Sequence, residues 1–295
     1  MCLENDSRVA VVGRRIYFEN HFPEGWKQDP YVNCFDVNEQ DLSCLLSVAN
    51  FCPQLSIFFR PELYPFELVK RIPGSKIAFL SEPVPSLENG KFLRTPETET
   101  RMSVYKNMPW HAYDGVIYYD KSRRATISKL GWPVDEFRML PIDTASFRPR
   151  KGRRPIDVCF VGKPNERRVR LLDVFRYMSF RFVWVAHGIA GLELARLFQK
   201  SKVVLNIHAD HLPALEPRVY LAASCGCAVM TEALGAEPHD IRDQLVPFEG
   251  PIHKHIVEYA IELYRANCDQ WLNRGPLTDL SMRRFIAEQL QNFSL

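Results

Sequence analysis

Short apolar runs recur along the chain, each followed by a polar turn and then by residues at helical spacing. In the first half they are VAVV (residues 9–12), LSIFF (55–59), KIAFL (76–80), VIYY (116–119) and the weaker FRMLP (137–141). In the second half they are DVCFVG (157–162), FRFVWVA (180–186), KVVLNI (202–207) and CAVMT (227–231). Runs of β-branched and aromatic residues without polar alternation predict strands covered on both faces.

The segments between them carry the helices. DLSCLLSVANF (41–51) opens on an Asp suited to a cap, and YPFELVKRI (64–72) ends before Pro73-Gly74. ERRVRLLDVFRYM, LELARLFQKS and EPRVYLAAS follow the strands of the second half, and IHKHIVEYAIELYRANCDQWL and LSMRRFIAEQL close the chain as two helices. Strand and helix alternating in this way predict βαβ units and a parallel sheet in each half. Pro, Arg and Gly interrupt the periodicity between Ser146 and Pro155, so the expected plan is two Rossmann-like, doubly wound α/β domains, 1–150 and 151–295. Such a pair leaves a cleft faced by the carboxyl ends of both sheets, and the loops after the strands are the places to search for chemistry.

Composition narrows the function classes. The 295 residues are 46% hydrophobic and 25% charged, which excludes a disordered or fibrous chain. Eight cysteines with no CxxC pair, several inside apolar runs, read as reduced thiols and point to the cytoplasm rather than to a disulfide frame. The amino terminus lacks a signal-like apolar region, and no stretch reaches the ~18 apolar residues that span a bilayer. Peripheral membrane contact stays open. The net charge is only +3, but RPRKGRRP (148–155) and NERRVR (165–170) concentrate the cations. Such clusters suit a phosphorylated small molecule, a nucleic acid or a solvated linker.

Five loops hold the candidate chemistry. In FVGKPNERRVRLL (160–172), Gly162 ends a strand and lets a backbone approach, while Lys163, Arg167 and Arg168 supply charge at a helix start. Neither GxGxxG nor GxxxxGK[ST] is present, and ordinary strand-end charge would account for the same residues. The second loop, after KVVLNI, is dense in ionisable groups: His208, Asp210, His211, Glu216, and then Arg218 in a first helical turn. His208 and His211 have no third ligand in sequence, so no metal site is expected. That helix is kept slim by Ala222, Ala223 and Ser224, and its Cys225-Gly226-Cys227 turn suggests a backbone brought close to a ligand at Gly226. The third loop, WVAHGIAG (184–191), holds His187 and Gly188. In the fourth, AFLSEPVPS (78–86), Glu82 is placed to deprotonate an acceptor hydroxyl, unless it caps the turn before Pro83. In the fifth, NMPWHAYDG (107–115), His111 and Asp114 are expected near the cleft, with Trp110 and Tyr113 as a stacking surface or as core.

Three of these segments carry a resemblance. PRVYLAASCGCAV (217–229) is similar to the donor-binding segment of GT-B glycosyltransferases, above all the spore-maturation-protein-like (CgeB-like) transferases and more distantly the family 4-like (group 1) retaining enzymes that include glycogen and sucrose synthases. MLPIDTASFRP (139–149) resembles their passage between domains, and DVCFVGKPNERRVRLL (157–172) the opening of their donor domain. The resemblance covers residues 139–235 and implies a metal-independent glycosyltransferase, of hexosyltransferase type, that retains anomeric configuration and uses no cofactor beyond a nucleotide-sugar co-substrate, a UDP-sugar first. The acceptor would be a carbohydrate or glycoconjugate.

By that likeness, Gly162, Lys163, Arg168, His187, Gly188, His208, Glu216, Arg218 and Gly226 would bind the donor, with His187 and Gly188 beside the base, and Glu82, Asp210 and His111 are the catalytic candidates. The chain departs from the pattern at Leu221, where relatives carry a ribose-binding glutamate, and at Pro213, where a second acid is usual. A leucine accepts no hydrogen bond. Glu216 or Asp210 substitutes from a shifted loop, or the nucleotide sits differently, or the chain is a silent GT-B module. DNA- or protein-directed transfer and plain nucleic-acid binding also fit the residues.

Overall fold

The computed structural model describes residues 8–21, 31–38, 41–275, 277 and 281–293. The amino-terminal stretch 1–7, considered above for a targeting signal, lies outside the described residues. The chain divides into two compact units, Met1–Ile142 with Asp279–Leu295, and Asp143–Thr278. The division falls a few residues before the expected 150/151, and the last helix belongs to the first unit instead of closing the second.

The first unit contains β1 (Val9–Gly13), α1 (Arg15–Phe18), β2 (Val32–Asp36), α2 (Cys44–Phe51), β3 (Leu55–Phe59), α3 (Phe66–Val69), β4 (Ser75–Leu80), a hairpin of β5 (Ser86–Glu88) and β6 (Lys91–Leu93), α4 (Pro96–Ser103), β7 (Gly115–Tyr118), α5 (Arg124–Leu130) and β8 (Glu136–Phe137). Its main sheet runs β2-β1-β3-β4-β7-β8 and is parallel throughout. Every residue of β1 and β3 is buried, as uninterrupted apolar runs require. Of FRMLP only Phe137 lies in a strand, the two-residue β8, and Arg138 ion-pairs with Glu288.

The second unit contains β9 (Ile156–Val161), α6 (Glu166–Leu172), β10 (Phe182–Val185), α7 (Gly191–Gln199), β11 (Ser201–Asn206), α8 (Pro217–Ser224), β12 (Ala228–Thr231), β13 (Leu245–Pro247) and α9 (Lys254–Arg274); α10 (Met282–Phe293) then returns to the first unit. The sheet order is β10-β9-β11-β12-β13, again all parallel. Its core joins Val158, Phe160, Leu205, Met230 and Val246 from the strands to Trp271 of α9. The indole N–H of Trp271 donates to Asp243 Oδ2 at 2.8 Å, so the largest core side chain keeps its one donor satisfied.

Candidate functional site

Because each sheet is parallel, all its strands end at one carboxyl edge. In the second unit the chain leaves β9 for β10 on one side and later places β11 on the other. That reversal opens a crevice between the connections after β9 and β11, the place where open α/β sheets take ligands. The loops holding Gly162 to Arg168 and His208 to Arg218 meet there.

Side chains lace the two loops together. Asn165 accepts from the Arg168 N–H at 2.8 Å as the cap of α6 and donates to the Ala209 carbonyl at 2.7 Å. Arg168 is buried; its Nε and Nη2 donate to the Ile207 carbonyl (3.2 and 2.8 Å), and its Nη1 donates to the Lys163 carbonyl (3.0 Å). Gly162 is required by packing: a Cβ there would lie 2.9 Å from the Phe160 ring. Its carbonyl accepts from the Trp184 indole at 2.9 Å. Lys163 is exposed, with no side-chain partner among the described residues.

His208 is buried with an acceptor on each side. Nδ1 lies 3.0 Å from Glu216 Oε1 and Nε2 lies 2.9 Å from the Ala233 carbonyl. Both bonds form at once only when both nitrogens carry protons, so the geometry selects the imidazolium. Burial opposes that charge, but the Glu216 carboxylate, the Ala233 carbonyl and Glu232 outweigh it and raise the pKa above the ordinary imidazole value. Glu216, at the cap position of α8, turns its second oxygen to Arg218 Nη2 at 2.9 Å. Burial works against its ionisation too, yet the charges of Arg218 and His208 hold its pKa at about 2.

Arg218 completes the group. Its Nη1 donates to Asn206 Oδ1 at 2.8 Å, and its guanidinium lies over the Phe160 ring, 5.2 Å from the centroid. Asn206, with no exposed surface, donates in turn to Thr231 Oγ1 at 3.0 Å. Arg167 ion-pairs with Glu232, whose other oxygen accepts from the His208 backbone N–H at 2.8 Å. A groove of about 320 Å³ beside this pair is lined by Glu166, Arg167, Arg170, Leu171, Glu232 and Gly250. His208, Glu216 and Arg218 together carry one net positive charge at the first turn of α8, where the helix dipole also favours an anion.

Other sequence candidates fall outside this cluster. Asp210 Oδ1 accepts from the Leu212 N–H at 2.9 Å and so shapes its own loop. His187 and Gly188 are exposed at the same edge after β10, Gly188 with φ +81°. Gly226 is placed differently from the expectation: eight residues of α8 carry the chain across the sheet, and the Cys-Gly-Cys turn lies at the amino edge, before β12. What its backbone approaches is protein. Gly226 has φ +72°, and a Cβ there would sit 3.3 Å from both Arg154 Nη2 and Pro149 Cβ. The turn carbonyl of Cys225 accepts from Arg154 Nη2 at 2.7 Å.

In the first unit Glu82 follows β4 at the carboxyl edge, buried, with one oxygen 2.7 Å from Arg60 Nη1 and the other paired with Arg101. Arg60 also pairs with Glu62 and adopts the left-handed region at φ 56°. The Glu62 side chain is 1% exposed and its Oε2 has no hydrogen-bond partner. Burial raises its pKa above the ordinary carboxyl value, Arg60 opposes this, and Glu82 adds to it. His111 and Asp114 are not beside Glu82. The Asp114 N–H donates to the Lys76 carbonyl and its Oδ2 accepts from the Lys76 N–H, both at 2.8 Å, which fixes this loop at the amino end of β4. His111 is exposed in the turn leading there. Tyr113 is buried against Phe58, as core.

Among the described residues, no three His, Cys, Asp or Glu side chains are grouped to hold a metal ion, and no helix is long and apolar enough to cross a membrane. No disulfide joins the described cysteines.

No family model matches the chain, and no curated protein resembles it closely in sequence. Solved structures resemble it in three dimensions. Sucrose-phosphate synthase from Thermosynechococcus elongatus superposes with a TM-score of 0.57 at 12% identity, over 98% of this chain and all of that one. TarM gives 0.55 at 12% identity over 86% of this chain, which spans 58% of TarM's length. Anabaena HepE, solved in complex with UDP and glucose, gives 0.52 at 10% identity over 97% of this chain and 99% of that one. The fold is that of the GT-B glycosyltransferases.

Within this GT-B chain, Leu221 is buried on α8, 3% exposed, in a position that packs instead of presenting a hydrogen-bond acceptor. Asn206 and Glu232 are residues of this cluster that the sequence did not single out, and Arg167, read there as charge at a helix start, is paired with Glu232. A polar residue closing an apolar run, as Asn206 closes KVVLN, was the available signal for the first, and an acid directly after CAVMT the signal for the second.

Proposed function

We propose that the chain is a metal-independent glycosyltransferase that moves a sugar from a nucleotide-activated donor to an acceptor hydroxyl. The observation that carries this reading is the Arg218–Glu216–His208 group at the reversal point of the second sheet, with Arg168 of α6 bonded to the Ile207 carbonyl beside it. In the transfer, the bond between the anomeric carbon and a diphosphate oxygen breaks and its electron pair leaves with the phosphate. The acceptor oxygen forms the new bond to that carbon, and its proton passes to the departing diphosphate, directly or through water. Charge therefore gathers on the leaving group, where positioned cations and helix N–H groups stabilise it most. Arg218, the start of α8 and the exposed Lys163 are placed to do so without a metal ion. Glu216 holds Arg218 in position and keeps His208 protonated.

Uridine diphosphate is the first candidate carrier, a hexose the first candidate sugar, and retention of configuration the expected outcome; the HepE complex and the sequence resemblance support these in kind. Calorimetry with UDP, and release of UDP from UDP-sugars, test the reading: the parent should bind and turn over, and Arg218→Ala should do neither well. Absence of binding at millimolar UDP and of any turnover overturns it. Leu221 favours a second reading, a GT-B module without catalysis, which predicts that negative result.

A further inference from the structure

The amino edge of the second unit carries a separate cluster of charge. The linker entering β9 is RPRKGRRP, residues 148–155, and two side chains fasten it. Gln199, the last residue of α7, donates to the carbonyls of Ser146 and Arg148, each at 2.9 Å. Arg154 is buried; it donates to the carbonyls of Ser201 and Cys225, each at 2.7 Å, and its guanidinium lies over the Tyr264 ring, 5.3 Å from the centroid. Between these fastenings Arg148, Arg150, Lys151 and Arg153 are exposed, and none of the four side chains has an acidic partner among the described residues.

Backbone bonds bring further cations to the same rim. The Ile156 N–H donates to the Lys200 carbonyl at 3.1 Å, and the Asp157 N–H to the Arg181 carbonyl at 3.0 Å; Lys200 and Arg181 are both exposed. Asp157, the acid these bonds bring in, is consumed: Lys202 Nζ takes one oxygen at 2.5 Å and the Arg181 N–H the other at 2.9 Å. Just before Arg181, in the connection that leads to the amino end of β10, Tyr177 is 83% exposed. Like charges gathered without counter-charge oppose folding unless an anionic partner compensates them. Because the linker is already fastened, it gives up little conformational freedom when a partner binds.

We propose that this rim docks on an anionic phospholipid surface, with the cations of residues 148–153, Arg181 and Lys200 among the headgroups and Tyr177 at their boundary with the acyl chains. Charge complementarity argues for an anionic partner, and composition selects the class. The loop itself holds no aromatic residue on which a base could stack, whereas an exposed tyrosine beside cations has the make-up of an interfacial anchor. The rim is at the edge opposite Arg218, so docking is independent of the nucleotide reading.

Co-sedimentation of the full chain with vesicles of phosphatidylglycerol and phosphatidylcholine, against pure phosphatidylcholine, tests it. The expected result is binding only to the anionic vesicles, lost at high salt. Arg148→Gln/Arg150→Gln/Lys151→Gln/Arg153→Gln should weaken binding at least about tenfold, given the attraction each cation feels near such a surface. Tyr177→Ser should weaken it several-fold, with a melting temperature no lower than the parent's for both variants. Equal binding of the parent to neutral vesicles, or undiminished binding by the quadruple variant, overturns the proposal. So does duplex DNA that binds the parent more tightly than anionic vesicles at equal phosphate concentration, which would reassign the rim to nucleic acid. If the quadruple variant does not fold, the salt and lipid dependence of the parent still decides.

Discussion

Glu216 Oε1 lies 3.0 Å from His208 Nδ1, and the opposite nitrogen of the same ring lies 2.9 Å from the Ala233 carbonyl. A carboxylate and an imidazolium are thereby locked together in the loop that also orients Arg218.

This pair gives stability two pH limbs. Glu216 stays ionised in the folded chain down to about 2, against an ordinary 4.5. Between those values the unfolded chain binds the extra proton, so stability rises with pH there and is lost as pH falls through the folded pKa. His208 keeps its proton above the ordinary 6.5, so its contribution is complete below that value and is lost as pH rises through the folded pKa. In urea denaturation across pH, the share of the stability that Glu216→Gln removes should be level between about 4.5 and 6.5 and shrink on the acid side. A parent profile that is flat from pH 2 to 8 contradicts the pairing.

Arg218 is held by two oxygens, one from Asn206 and one from Glu216. Arg218→Ala should lower UDP affinity by roughly ten- to a hundredfold, the worth of a hydrogen bond to a charged group. Arg218→Lys should recover part of it, since charge returns without the planar fork. Titration calorimetry reads both.

Glu62 and Glu82 share Arg60 but should respond oppositely. Removing the charge of Glu62, whose Oε1 pairs with Arg60 but whose Oε2 is orphaned, by Glu62→Gln should leave stability at pH 7 within about 1 kcal/mol of the parent, because a half-satisfied buried carboxylate is costly to keep and Arg60 retains Glu82 as counter-ion. It should also abolish the decline in stability that a raised carboxyl pKa produces as pH climbs above 4.5. Glu82→Gln strips charge from a carboxylate clamped by two guanidinium groups and should cost about 3 kcal/mol. Denaturation midpoints at pH 5 and 7 separate the two.

Gly226→Ala meets a left-handed backbone and a contact of 3.3 Å with Arg154 and Pro149. It should destabilise the chain by about 1–2 kcal/mol and leave UDP binding unchanged, measured on folded protein. A loss of UDP affinity in proportion would return the turn to the ligand edge.

Much of the scaffold was legible because strands buried on both faces, such as Leu55–Phe59, cannot alternate with polar residues. The edge strand Val32–Asp36 has only one neighbour and buries only Val32 of its five residues, so its run was not apparent. The cations read at strand ends lie in the loops and helix starts on either side of the reversal point. Their partners were hidden because Asn206, Thr231 and Glu232 come from adjacent strands that meet only in the sheet. Gly226 was misplaced because a helix of eight residues moves its far end to the other edge, and His111 because its loop enters the sheet at the amino end.

The return of α10 sets an order for assembly during synthesis. Phe285, with no exposed surface, packs on Phe79, ring centroids 5.8 Å apart, and the Met282 N–H reaches the Ile142 carbonyl at 3.4 Å. At roughly 5–20 residues per second, the face of the first sheet that Phe285 covers emerges from the ribosome and waits on the order of ten to thirty seconds for its cover. The second unit, continuous in sequence, can finish folding within that interval. The first is therefore the half most exposed to aggregation and to chaperones in the nascent chain.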